Sequence, residues 1–95
     1  MKIKVLNLMD AFHLASIISK YVDTDNLNPD VVDFIQGIVG QISAQEYLTC
    51  VSMMTDKTEA ELVGEFSLDI LTAFIDGLKE NQIISLVSFY KSFGL

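Results

Sequence analysis

The sequence predicts an all-α fold, and three observations carry that reading. Apolar residues recur at spacings of three and four along most of the chain. Helix-capping residues stand directly before several of those stretches. No run of alternating β-branched residues is long enough to compete as a sheet. With one proline, five glycines and no repeat or low-complexity segment, the 95 residues read as a single helical domain, 1–95, built as a compact bundle of five to six short helices.

The first helix is predicted from Leu8 to Val22, where Leu8, Ala11, Phe12, Ala15, Ile18 and Val22 form one apolar stripe, with Asn7 or Asp10 as its cap. Ahead of it, Lys2-Ile3-Lys4-Val5-Leu6 partly alternates, the pattern of a short N-terminal edge strand, although a lone strand has no obvious partner within the chain. Asp23 to Leu27 reads as a loop, and Asn28-Pro29 as the cap and first position of a helix through Val31, Phe34, Ile35, Ile38 and Ile42. That helix should end between Gly40 and Ser43.

Ser43-Ala44-Gln45-Glu46 fits a capping box, in which the serine and glutamate satisfy each other's free backbone N–H groups. It opens a helix carrying Tyr47, Leu48, Val51 and Met54. Thr58-Glu59-Ala60-Glu61 is a second such box, opening a short helix with Leu62, Val63 and Phe66. A break at Gly64 to Ser67, with Ser67 as N-cap, precedes a longer helix containing Leu68, Leu71, Phe74, Ile75 and Leu78. Asn81 is placed to end that helix and cap the last one, which carries Ile83, Ile84, Leu86, Val87, Tyr90 and Phe93 before Gly94.

Composition limits the function. Acidic residues outnumber basic ones by 13 to 6, all six cations are lysines, and the net charge is -7. A nucleic-acid or anionic-membrane partner needs a basic surface, so neither is expected. The longest stretch free of formal charge, Phe34 to Gln45, is far shorter than the roughly 20 residues of a spanning helix. Asp10 cuts the early apolar run too soon for a secretory signal. The single cysteine, Cys50, has no partner for an internal disulfide, so a cytoplasmic location is expected. Yet 51% of the residues are hydrophobic and the mean hydropathy is +0.41. A domain this small hides only about two-thirds of its surface, so apolar side chains should remain exposed and support self-association into a homo-oligomer.

No pattern of residues reads as a catalytic, cofactor or metal site. Asp23-x-Asp25 starts like a calcium loop, but Leu27, Asn28 and Phe34 stand where Asp or Asn, Gly and Glu are needed; a solvated loop is the simpler reading. Gly37-Ile38-Val39-Gly40 has the spacing of a phosphate-clamping GXXG loop but apolar residues between its glycines, and reads instead as glycines permitting close helix packing. Ser67-Leu68-Asp69 is similar to the modified serine of acyl carrier proteins, but Phe66 replaces the preceding aspartate. His13 is the sole histidine and has no ligand cluster around it in sequence. Cys50 lacks a neighbour that would activate it and reads as a buried thiol. Met53-Met54 suits either an adaptable binding surface or core filling. An enzyme is not expected.

One resemblance is more specific. The stretch from Leu71 to Leu86 (LTAFIDGLKENQIISL), continued by Val87 to Gly94 (VSFYKSFG), together with the size, acidity and helix order of the chain and the opening Asn7 to Phe12, resembles the small tail assembly chaperones of long-tailed bacteriophages. The resemblance implies an all-helical holdase for the tape-measure protein, the long helical chain that fixes tail length. Such a chaperone keeps that client soluble while tail-tube subunits polymerise around it, and is absent from the finished tail. It implies the tape-measure protein, and in some cases the tail-tube protein, as partners, and no cofactor. The competing reading is an acidic helical adaptor or regulatory dimer holding one folded partner at fixed stoichiometry.

Overall fold

The computed structural model of the chain describes residues 1–21 and 37–92. Its fold is all-α. The described helices are α1 (Leu8–Ser19), α2 (Ala44–Met54), α3 (Glu59–Val63), α4 (Ser67–Glu80) and α5 (Ile83–Ser92), and residues 37–39 are also helical. The expected loop and calcium-like residues Asp23, Asp25, Leu27, Asn28 and Phe34 lie outside the described residues, as do Pro29, Phe93 and Gly94.

Local chemistry explains most boundaries. Asn7, of the two candidate caps, starts α1: its side chain accepts from the Asp10 N–H at 2.8 Å. Thr58 and Glu61 form the full reciprocal box at α3. Gly64 closes that helix, with its N–H turned back to the Glu61 carbonyl. Gln82 sits at φ 51°, the left-handed region, and lets α5 leave α4 after a two-residue link.

Three expected caps are corrected. Ser43 does accept from the Glu46 N–H at 3.1 Å, but Glu46 does not return the bond to the Ser43 backbone. Its carboxylate is taken by Lys20 and Tyr21 at the end of α1. Ser67 is the first helical residue of α4, and the N-cap position is held by Phe66, whose side chain can make no capping bond. Asn81 ends α4 as expected, but its side chain does not cap α5; it reaches the N-terminal segment instead.

The N-terminal edge strand is corrected too. Ile3 makes one antiparallel bridge with Thr55, and the Lys4 N–H donates to the Met54 carbonyl at 2.8 Å, so the segment is tethered to the end of α2 without building a ladder. Ile3 and Leu6, three residues apart, pack against the core while Val5 is exposed, so the segment does not keep the period-two alternation of a regular strand.

One buried cluster joins the described elements, through Leu14, Ala15 and Ile18 of α1, Ile38 ahead of α2, Cys50, Val51 and Met54 of α2, Leu62 of α3, Phe74 and Leu78 of α4, and Ile83 and Val87 of α5. Helix α1 packs mainly on α5, and α2 on α4 and α3. The buried face of α4 is Ile70, Ala73, Phe74, Gly77 and Leu78, rotated from the expected stripe, which leaves Leu68 exposed. At Gly77 α2 approaches closely: a Cβ there would lie 2.6 Å from the Met54 sulfur. Tyr47 meets the Phe74 ring edge-on beside it, centroids 5.0 Å apart.

Candidate functional site

The tether of the N-terminal segment shapes the surface beside it. Asn81 works as a three-way clasp: its Oδ1 accepts from the Leu6 N–H at 2.7 Å, and its Nδ2 donates to the carbonyls of Lys4 and Gly77, each at 3.0 Å. The bonds to Leu6 and Lys4 satisfy extended-backbone groups that a neighbouring strand would otherwise have to satisfy. They also fix Val5 and Leu8 on one wall of a groove whose other wall is α5.

That groove encloses about 510 Å³ between Val5, Leu8 and Ala11 on one side and Leu86 and Phe89 on the other. Glu80, Gln82 and Ser85 supply its polar rim. Val5 is 74% exposed, Leu8 66% and Phe89 53%, so large apolar groups face solvent together at one place. Phe89 is steadied from behind by Phe12, with ring centroids 6.5 Å apart. Such a groove takes apolar side chains from one face of a helix and holds their polar flanks at its rim.

A larger hollow of about 650 Å³ lies between Lys4 and the α2–α3 connection, and several of its polar groups are engaged within the chain. Thr49 and Gln45 both donate to Glu59, Ser52 donates to the Lys57 carbonyl at 3.0 Å, and Thr55 to that of Val51 at 2.8 Å. Lys57 pairs with Glu65 at 3.0 Å.

The residues weighed from sequence scatter through the structure. His13 is exposed on α1. Cys50 is buried, and burial foremost, with the nearby Glu46 charge, pushes its thiol up to about 12, so it stays protonated at neutral pH. Met54 is wholly buried, while Met53 is partly covered against the core and lines the polar hollow. Ser67 is exposed at the head of α4. Ile38 is wholly buried, and among the described residues nothing lies within 4 Å of where a Cβ on Gly37 would go, so no described neighbour makes this glycine necessary for close packing. Among the described residues no three His, Cys, Asp or Glu side chains gather as a metal site, and no helix is long and apolar enough to cross a membrane.

Sequence does not single out the groove residues, because Leu8 and Leu86 fall on the apolar sets expected to face the core and Phe89 falls outside the set read for the last helix. What distinguishes them is the bond from Asn81 to a segment 75 residues away. No family model matches the chain, and neither a curated protein nor a solved structure matches it.

Proposed function

We propose that this protein is a tail assembly chaperone of a long-tailed bacteriophage, which holds the tape-measure protein soluble while tail-tube subunits polymerise and is absent from the finished tail. The observation that supports this reading best is the groove between the N-terminal segment and α5: an exposed apolar cleft with a polar rim suits a succession of amphipathic helical segments on a long client. The net charge of -7 keeps a crowded chaperone–client complex soluble. Many copies along one client would gain through avidity what a single shallow groove lacks. The host cytoplasm is the compartment of this work, and the tail-tube protein is a further partner.

The test is co-purification with the tagged chain from cells that produce it, comparing the native sequence with Leu8→Asp. The expected result is a very long, helix-rich protein recovered with many chaperone copies per client, and its loss with Leu8→Asp. Recovery of one small folded partner at a simple ratio would overturn this reading in favour of an adaptor.

A further inference from the structure

The N-terminal segment and the seat that holds it belong to different parts of the chain. The seat is built at the ends of α2 and α4. There the Met54 carbonyl accepts from the Lys4 N–H, Thr55 bridges to Ile3, and the Asn81 amide bonds Leu6 and Lys4. Ile3 and Leu6 add apolar contact with the buried cluster. Helix α1, to which the segment is attached, instead packs mainly on α5. A single residue, Asn7, stands between the last clasped residue, Leu6, and the first helical one, Leu8.

The seat identifies its own partner. Every copy of the chain carries the same segment and the same seat, so residues 1–6 of a second copy fit where those of the first are held. Exchange keeps each bond of the seam and changes only the course of the chain at Asn7. A link this short gives the segment little freedom to adjust within its own chain, and short hinges favour exchange between copies.

The residues around the link carry the second argument. Val5, Leu8 and Met9, on both sides of Asn7, are 74%, 66% and 78% exposed. Two residues of chain span about 7 Å at most. In an exchanged pair the start of each α1 must therefore lie against the seat of its partner. That proximity sets the two links side by side and covers these apolar side chains with their own copies.

We propose that two copies exchange residues 1–6 reciprocally and form a closed twofold dimer, each segment held in the seat of the other chain. Reciprocal exchange fills both seats, so the assembly stops at two. The seam is the same in monomer and dimer. What differs is the new apolar contact around Asn7, set against the freedom lost on association. That contact is small, so the dimer becomes appreciable only at high micromolar concentration. The inference is independent of the chaperone reading.

The test uses the full chain without any client. Ile3 and Thr55 oppose one another across the seam. A mixture of Ile3→Cys with Thr55→Cys can therefore form a disulfide at that place only when the segment of one chain sits in the seat of the other. Cys50 is buried with a protonated thiol and does not compete. Under mild oxidation at high micromolar concentration, the mixture should give a covalent dimer holding one chain of each variant. Its yield should exceed several-fold that of the dimers either variant forms alone, and an equal or lower yield would overturn the proposal. Thr55 is buried and hydrogen-bonded, so a second measurement covers loss of helix in its cysteine variant. Sedimentation of the native chain should show monomer and dimer. A Gly-Ser-Gly insertion between Leu6 and Asn7 should lower the dimer fraction several-fold, because a longer link closes freely on its own chain. A native chain that stays monomeric, or an insertion that leaves the dimer fraction unchanged, would overturn the exchange. Failure here leaves the client co-purification standing, and failure of that co-purification leaves the exchange standing.

Discussion

Helix α4 takes part in two seams that are held together by different physics. Near its C-terminal half Gly77 meets Met54 of α2, with Cys50, Phe74 and Tyr47 around them, and the fit is one of shape: a missing Cβ on one helix is filled by a sulfur from the other. One turn later Asn81 meets the N-terminal segment, and the fit is one of hydrogen bonds, three from a single side chain. The first seam hides its apolar groups. The second fixes backbone while leaving Val5 and Leu8 in solvent. Shape complementarity buries whatever it joins, but a polar clasp can hold an apolar surface open, and that is how a small domain keeps a groove without unfolding around it.

The strongest way to break this contrast is at the seam of shape. Met54→Ala removes a wholly buried side chain and should cost about 2–5 kcal/mol in a urea melt. Gly77→Ala should also destabilise the native chain, because overpacking costs about 1–3 kcal/mol and only roughly 1 kcal/mol returns as helix propensity. In the Met54→Ala background the cost should shrink: the sulfur and methyl contacts at 2.6 and 2.9 Å are gone, and only the residue-54 Cβ at 3.0 Å still opposes the propensity gain. Gly77→Ala being equally destabilising in both backgrounds would show that Met54 is not what fills the gap.

At the polar seam the effect is smaller and differently distributed. Asn81→Ala leaves the half-buried Leu6 N–H and the Lys4 and Gly77 carbonyls without this partner, a loss of about 1–3 kcal/mol. Amide hydrogen exchange should locate it: Leu6 should exchange faster, by far more than Met54 or Cys50 in the other seam, because the clasp opens locally. Uniform acceleration through both seams would mean that the segment is part of the cooperative core and that the groove wall has no separate stability.

The same contrast governs what the sequence can reveal. Spacing places the described helices and the α3 box, because turns and caps are decided within four residues, while most of the helix expected after Asn28-Pro29 lies outside the described residues. Local pattern assigns Asn81, Glu46 and Ser67 to caps, and the structure departs from each in part for a distant or steric reason. The Asn81 amide prefers partners 75 and 77 residues away, and the Glu46 carboxylate partners 25 and 26 residues away. Phe66 takes the position expected of Ser67 without any capping bond. The buried stripe of α4 shifted towards Ile70, Ala73 and Gly77, small or offset residues whose burial is set by how closely α2 approaches. For the groove, composition foretold surplus exposed apolar surface, but its location depends on the Asn81 clasp and had no local signature.

Glu46 is a second polar clasp, between α1 and α2, and it differs from Asn81 in being ionised, which gives the smallest and most selective test. Its carboxylate accepts from the Tyr21 hydroxyl, from Lys20 Nζ at 3.0 Å and from Ser43 Oγ at 3.4 Å. These donors, Tyr21 foremost and then Lys20, hold its carboxyl below the usual glutamate range. A carboxyl with a lowered folded-state pKa adds stability above its unfolded value of about 4.3 and loses it as pH falls through the folded value. The native chain should therefore lose urea resistance between about pH 7 and about pH 3, and Glu46→Gln should lose less over the same interval, with the two urea midpoints converging on the acid side. At neutral pH the substitution itself should be mild, since the pair with Lys20 is solvent-exposed on the lysine side. Asn81→Ala, by contrast, should shift the whole stability curve down without changing its slope with pH, because no proton is taken up at that clasp. An Asn81→Ala curve whose offset from the native chain varies across that interval would mean that the clasp is coupled to an ionising group, and the division between a neutral and a charged clasp would fall.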